Sequence, residues 1–184
     1  VLSVLLANEF SQASEILDIG AGSGEIASQI MSIRPDLKID GIDIKIREDS
    51  SMPIELFNGE SIKHSNNSYD YCLLVDVLHH THNPEALLAE AARVARIGVV
   101  IKDHLCENKI DFILLCLMDI VGNWSYGVKI TYNYLSEKKW LKLFSLTNLK
   151  IKNKHQNLGI YPQPFRMLFD QNLHVIFNLA KAKN

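Results

Sequence analysis

The sequence is short of the features that mark secreted, membrane-spanning or nucleic-acid-binding chains. Its 184 residues contain three cysteines, Cys72, Cys106 and Cys116, an odd number with no CxxC spacing. With no signal peptide to read either, this points to reduced thiols in a cytoplasmic protein. The longest apolar run, Phe112 to Met118, is bounded by Asp111 and Asp119. It falls far short of the roughly 20 residues that a membrane span needs. A formal net charge of −2 supplies no field that would draw the chain to nucleic acid or an anionic membrane. No repeat, low-complexity tract or Pro/Gly/Ser linker interrupts it, so residues 1–184 are expected to form a single domain. The missing initial Met implies a natural start further upstream.

What is present is ordinary globular composition, 47% apolar and 22% charged, arranged as alternating elements. Val1 to Phe10 reads as a helix remnant, and Glu15 to Ile19 as a strand that ends in Gly20, Gly22 and Gly24. Ile26, Ile30 and Ile33 then recur at helical spacing. Strands are expected at Lys38 to Asp43, Ile54 to Phe57, Tyr69 to Val77 and Ile97 to Lys102. The nearly continuous apolar YDYCLLVDV fits a central strand covered on both faces. Asn83-Pro84-Glu85 starts a helix, with a cap, a preorganised first residue and an acid at the positive end. Helices near Cys106 to Val121 and Ser136 to Leu146 should follow, then strands at Leu149 to Lys154 and Leu173 to Ala180. The expected fold is α/β: a Rossmann-like open sheet, mostly parallel with an antiparallel C-terminal strand, and helices on both faces.

The strand–turn–helix Ile16 to Glu25 contains glycines where backbone must approach a ligand closely. A dinucleotide fingerprint would need a small residue at position 25, and Glu25 would face a pyrophosphate with like charge. A phosphate-free, cationic ligand fits better, and Asp18 at the strand's end suits an ammonium group. Asp43, about 20 residues past the glycines, is placed to accept from both ribose hydroxyls.

LDIGAGSG (Leu17 to Gly24), GID (Gly41 to Asp43), DVLHH (Asp76 to His80) and NPEALLAEAARV (Asn83 to Val94) together resemble class I S-adenosylmethionine-dependent methyltransferases, in particular the methyltransferase type 11 group. The resemblance runs from Glu15 to about Asp103. It implies that Asp18 and the backbone of Gly20, Ala21 and Gly22 hold the methionine part of S-adenosyl-L-methionine, with Asp43 on the ribose and Ile44 against adenine. Asn58-Gly59 stands where relatives often have Gly-Asp-Ala, so Asn58 would accept from the adenine amino group without charge assistance. Asp76 would lie beside the sulfonium and the acceptor entrance. The implied activity is methyl transfer to an O, N or C nucleophile of a small molecule by direct displacement. The alternative is a regulatory domain that binds the cofactor without turnover.

Three residues are candidates for a general base if the acceptor carries a proton: His104, Asp76 and Tyr134. Adjacent strand residues point opposite ways, so Asp103 and His104 should not pair directly. Residues 106–135 are expected to cap the acceptor side, because the Phe112 to Met118 run must be buried against something. Trp124, Tyr126, Tyr132 and Tyr134 could equally wall a pocket or form a satellite core. No metal site is expected: His79, His80 and His82 cannot all converge from one element, and no nearby acid or Cys completes a ligand spacing.

Overall fold

Alternation within the strands decides which side chains face which layer. The computed structural model describes residues 1–123, 132–163, 165–170 and 172–182. Seven strands form one sheet: β1 (Glu15–Ile19), β2 (Lys38–Asp43), β3 (Ile54–Leu56), β4 (Tyr69–Val75), β5 (Ala95–His104), β6 (Leu149–Gln156) and β7 (His174–Lys181). Their order is β3-β2-β1-β4-β5-β7-β6. The first five pair in parallel, and β7 inserts antiparallel between β5 and β6. The order reverses at β1, where open α/β sheets place their ligand crevice.

Ile16, Leu73, Val100 and Ile176 face one layer, with Leu6, Phe10, Ala27 and Ile30 of helices α1 (Leu2–Ala7) and α2 (Glu25–Ile33) and the segment after α1. Their neighbours Leu17, Leu74, Val99 and Phe177 face the other, with Leu88 and Ala91 of α3 (Pro84–Val94) and Trp140 and Phe144 of α5 (Glu137–Leu146). Both faces are therefore buried, as the period-2 pattern of a covered sheet requires. α3 starts as expected, with Pro84 at its first turn and the Asn83 side chain accepting from Ala86 N–H at 3.0 Å.

The chain between β5 and β6 contains α4 (Lys109–Asn123) and α5. Leu115 of α4 is fully buried against Tyr134 and Leu173, which anchors the helix. Phe112, Ile113 and Leu117 nevertheless remain exposed, so the apolar run is only partly covered. Trp124 and Tyr126 lie outside the described residues. No helix among the described residues is long and apolar enough to cross a membrane.

Candidate active site

At the C-terminal end of β1 the backbone turns through left-handed glycines. Gly20 has φ +76°, and a Cβ there would stand 2.5 Å from Val77 Cγ2, so only glycine fits. Gly20 and Ala21 N–H donate to Ile42 carbonyl oxygen at 2.8 and 3.1 Å, tying the turn to β2. Asp43 completes the clasp: its carboxylate accepts from Gly22 N–H at 2.8 Å and from Lys45 N–H at 2.9 Å. A carboxylate has about four lone-pair sites, so two remain for a ligand's hydroxyls. Asp43 is thus a loop organiser as well as a candidate ribose acceptor. Arg47, not anticipated from the sequence, brings its guanidinium over Gly22, 3.6 Å from where a Cβ would sit.

Asp18 is buried beneath this turn at 3% exposure. Burial first, and then the neighbouring Asp43 charge, push its pKa up to about 7. Such a carboxyl is poised to ionise against an incoming cation. On the other flank, Ile44 is exposed and lies beside Gly59, whose hypothetical Cβ would come within 3.2 Å of Ile44 Cγ2. Asn58 departs from expectation. Its Oδ1 accepts from Glu60 N–H at 3.0 Å and Ser61 N–H at 2.9 Å, closing a turn. Both lone pairs are engaged there, so Asn58 as placed offers adenine no spare carbonyl acceptor.

A second group of polar side chains gathers past the ends of β4 and β5. Asp76 follows β4 in the left-handed region, φ +55°, a strained setting for a non-glycine residue. The turn aims its carboxylate at Lys102, whose ammonium donates to both oxygens at 2.6 and 2.7 Å from a nearly buried position. Burial opposes the Asp76 charge, but Lys102 outweighs it and holds the carboxyl below its usual range.

Asp103 is fully enclosed and accepts from His79 Nδ1–H at 2.6 Å, His104 N–H at 2.7 Å and Leu78 N–H at 3.2 Å. The aspartate–histidine hydrogen bond is made by His79 rather than by the adjacent His104, although the His104 ring also lies near Asp103. His79 sits in the 3-10 turn Leu78–His80 after β4, and parallel pairing of β4 with β5 brings it to Asp103. Burial disfavours its charge, yet the Asp103 carboxylate prevails and raises the His79 pKa to about 9. His80, half-buried beside it, is shifted down by burial and by the His79 charge. His104 Nδ1 lies 3.4 Å from Asp103 Oδ1 and 3.7 Å from Asp76 Oδ1, without a hydrogen bond.

Tyr134 also reaches this group, its ring stacked on His79 with centroids 5.6 Å apart. Its hydroxyl donates to buried Asp119, and burial together with that bond raises the phenol's pKa above its ordinary value. A phenol held so firmly protonated is a poor base, which counts against one of the three base candidates. The structure therefore brings His104, Asp76 and Tyr134 to one edge of the sheet, adds His79, His80, Asp103 and Asp119, and leaves His155 apart in an ion pair with Glu9. Asp119 escapes a spacing search because it arrives from α4. The sequence places His79-His80 just past the expected strand Tyr69 to Val77 and Asp103-His104 directly after the expected strand Ile97 to Lys102, but not which of these side chains meet.

The family described as "Methyltransferase domain" matches residues 2–155. No curated protein matches the sequence. Solved structures match over nearly the whole chain. A chain from the Haloferax volcanii complex of the Trm112 methyltransferase activator with a methyltransferase superposes with TM-score 0.69 at 12% identity, covering 99% of this chain and 89% of that one. A SAM-dependent methyltransferase from Methanosarcina mazei gives 0.67 at 17% identity, covering 98% of each chain. One from Aquifex aeolicus gives 0.62 at 14% identity, covering 96% and 87%. At such identities these likenesses establish the fold.

Proposed function

The chain belongs to the methyltransferase-domain family, and we propose on that footing that it moves the sulfonium methyl of S-adenosylmethionine to an O, N or C nucleophile of a small molecule. The observation that carries the reading is the clasp at the sheet's switch point: a buried Asp18 whose pKa is pushed up to about 7, the left-handed glycine turn and the Asp43 carboxylate in one crevice. Each suits one part of that cofactor. Asp18 takes the ammonium and Arg47 the carboxylate. Gly20, Ala21 and Gly22 leave room for the methionine chain, and Asp43 accepts from the ribose. Ile44 and Gly59 offer a flat apolar face to adenine, while Asn58 shapes the turn beneath it.

The cofactor supplies an already activated methyl, so the protein's task is alignment and exclusion of water. Asp76 stands at the end of β4, between the glycine clasp and the histidine group, with its charge balanced by Lys102. If the acceptor is protonated, His104 is the favoured base. Asp76 is committed to Lys102 and Tyr134 to Asp119, whereas His104 Nδ1 makes no hydrogen bond among the described residues. Residues 106–123 and 132–135 would close the acceptor side, with Leu115 and Tyr134 as their buried anchor, and residues 124–131 of the expected cap lie outside the described residues. The test is incubation with a methyl-deuterated donor and a small-metabolite extract. The expected result is a labelled product, lost in Asp18→Asn; labelling of protein or nucleic acid alone would remove the small-molecule reading.

A further inference from the structure

We propose that His79, His80 and Asp119 form a binding site for one divalent first-row transition-metal ion, with an open position toward the acceptor side. One ligand atom from each of the three lies within 4.8 Å of the others. His79 Nε2 and Asp119 Oδ2 are already 3.7 Å apart. Metal–nitrogen and metal–oxygen bonds of about 2.0–2.2 Å put tetrahedral ligand atoms roughly 3.3–3.6 Å apart, so the His79–Asp119 pair already stands close to ligand spacing. The His79 and His80 rings are packed at 4.0 Å between centroids, and His80 Nδ1 is buried without a hydrogen bond among the described residues.

The surrounding shell is the kind that prepares metal ligands. Asp103 accepts from His79 Nδ1–H at 2.6 Å, which orients the ring with Nε2 toward Asp119, and an entering ion would displace the Nε2 proton that the raised His79 pKa otherwise retains. The Tyr134 hydroxyl donates to Asp119 Oδ2 and so orients that carboxylate. Two imidazoles and one carboxylate favour zinc, iron or a neighbouring ion over magnesium or calcium, which prefer oxygen alone. Three protein ligands leave room for water or an acceptor heteroatom.

A neighbouring set, Asp76, His79, Asp103 and His104, is equally close. It is the poorer candidate, because the Lys102 ammonium already neutralises Asp76 and Asp103 already accepts from three N–H donors. His79, His80 and Asp119 are not among the residues assigned to the cofactor, so each reading can fail alone.

The test is calorimetric titration of Zn²⁺ into chelator-treated protein, paralleled by Co²⁺ absorption spectra and by S-adenosylmethionine titration. One equivalent should bind, with visible Co²⁺ bands indicating low coordination. His80→Gln and Asp119→Asn should each weaken binding at least tenfold, and Asp103→Asn about tenfold, with circular dichroism confirming the fold. No stoichiometric binding by the unmodified protein would overturn the proposal, whether or not the variants fold. So would binding unchanged in both His80→Gln and Asp119→Asn, which would assign the ion to surface histidines. Cofactor binding without zinc binding would sink this proposal and leave methyl transfer standing; the converse would do the reverse.

Discussion

Binding of S-adenosylmethionine should release a proton from Asp18, and the amount follows from its surroundings. The carboxyl is buried, lies near Asp43 and is held up to about 7. A pKa of about 7 leaves roughly nine-tenths of it protonated at pH 6 and about half at pH 7. The ligand's α-ammonium, with an ordinary pKa of about 7.7–8.0, stays charged across that range. Placing it against Asp18 stabilises the carboxylate and expels the proton. Calorimetry in two buffers of different ionisation enthalpy should therefore find about 0.9 proton released at pH 6 and about 0.5 at pH 7. Affinity should weaken about fivefold between pH 7 and pH 6 from this group alone. The same shift has a stability consequence. A carboxyl raised from 3.8 to about 7 costs the free protein stability as pH rises between those values, because the unfolded chain ionises first. The upper bound is about 4 kcal/mol, so Asp18→Asn should stabilise the free protein at pH 8 while abolishing the proton release. No proton release at pH 6, or release that persists in Asp18→Asn, would refute the placement of the ammonium.

Other perturbations separate ligand contacts from scaffold. Asp43→Ala should weaken S-adenosylmethionine at least 100-fold by calorimetry, since charge-assisted bonds are worth about 1.5–3 kcal/mol each. Loss of the Gly22 and Lys45 anchors should also raise amide exchange across the glycine turn. Gly20→Ala forces a Cβ against Val77 at positive φ and should lower both Tm and affinity, with Tm falling about 2–4 °C per kcal/mol. Lys102→Met should cost about 2–4 kcal/mol in denaturant unfolding, below the range for fully buried pairs because 36% of the Asp76 side chain meets solvent. Tyr134→Phe should lower stability by about 1–3 kcal/mol through the lost hydrogen bond to buried Asp119, yet leave the pH–rate profile unmoved, since the phenol is not the base.

The periodic part of the fold was legible because periodicity is local. YDYCLLVDV announces a strand buried on both faces, and β4 lies mid-sheet with both faces covered. Asn83-Pro84 announces a helix start, and α3 begins there. The glycine turn and Asp43 lie on neighbouring strand ends, so their meeting follows from parallel pairing alone. Two things were out of reach. The Asp103–His79 pair depends on register between β4 and β5, which fixes which of three histidines arrives. The Asp119–Tyr134 contact depends on how α4 packs over the sheet edge, and no strand pattern encodes that. Asn58 shows the opposite failure, where a residue at the right position spends its acceptor on its own turn.

A crevice built this way should take a phosphate-free, cationic nucleoside. Glu25 opens α2 at the place where a dinucleotide would put its pyrophosphate, so the two ligand classes should be sharply discriminated. Parallel calorimetric titrations of S-adenosylmethionine and NADH at pH 7.5 test this directly. One equivalent of S-adenosylmethionine should bind at roughly micromolar to sub-millimolar affinity, with no detectable heat from NADH. Saturable NADH binding with no response to S-adenosylmethionine would contradict this reading.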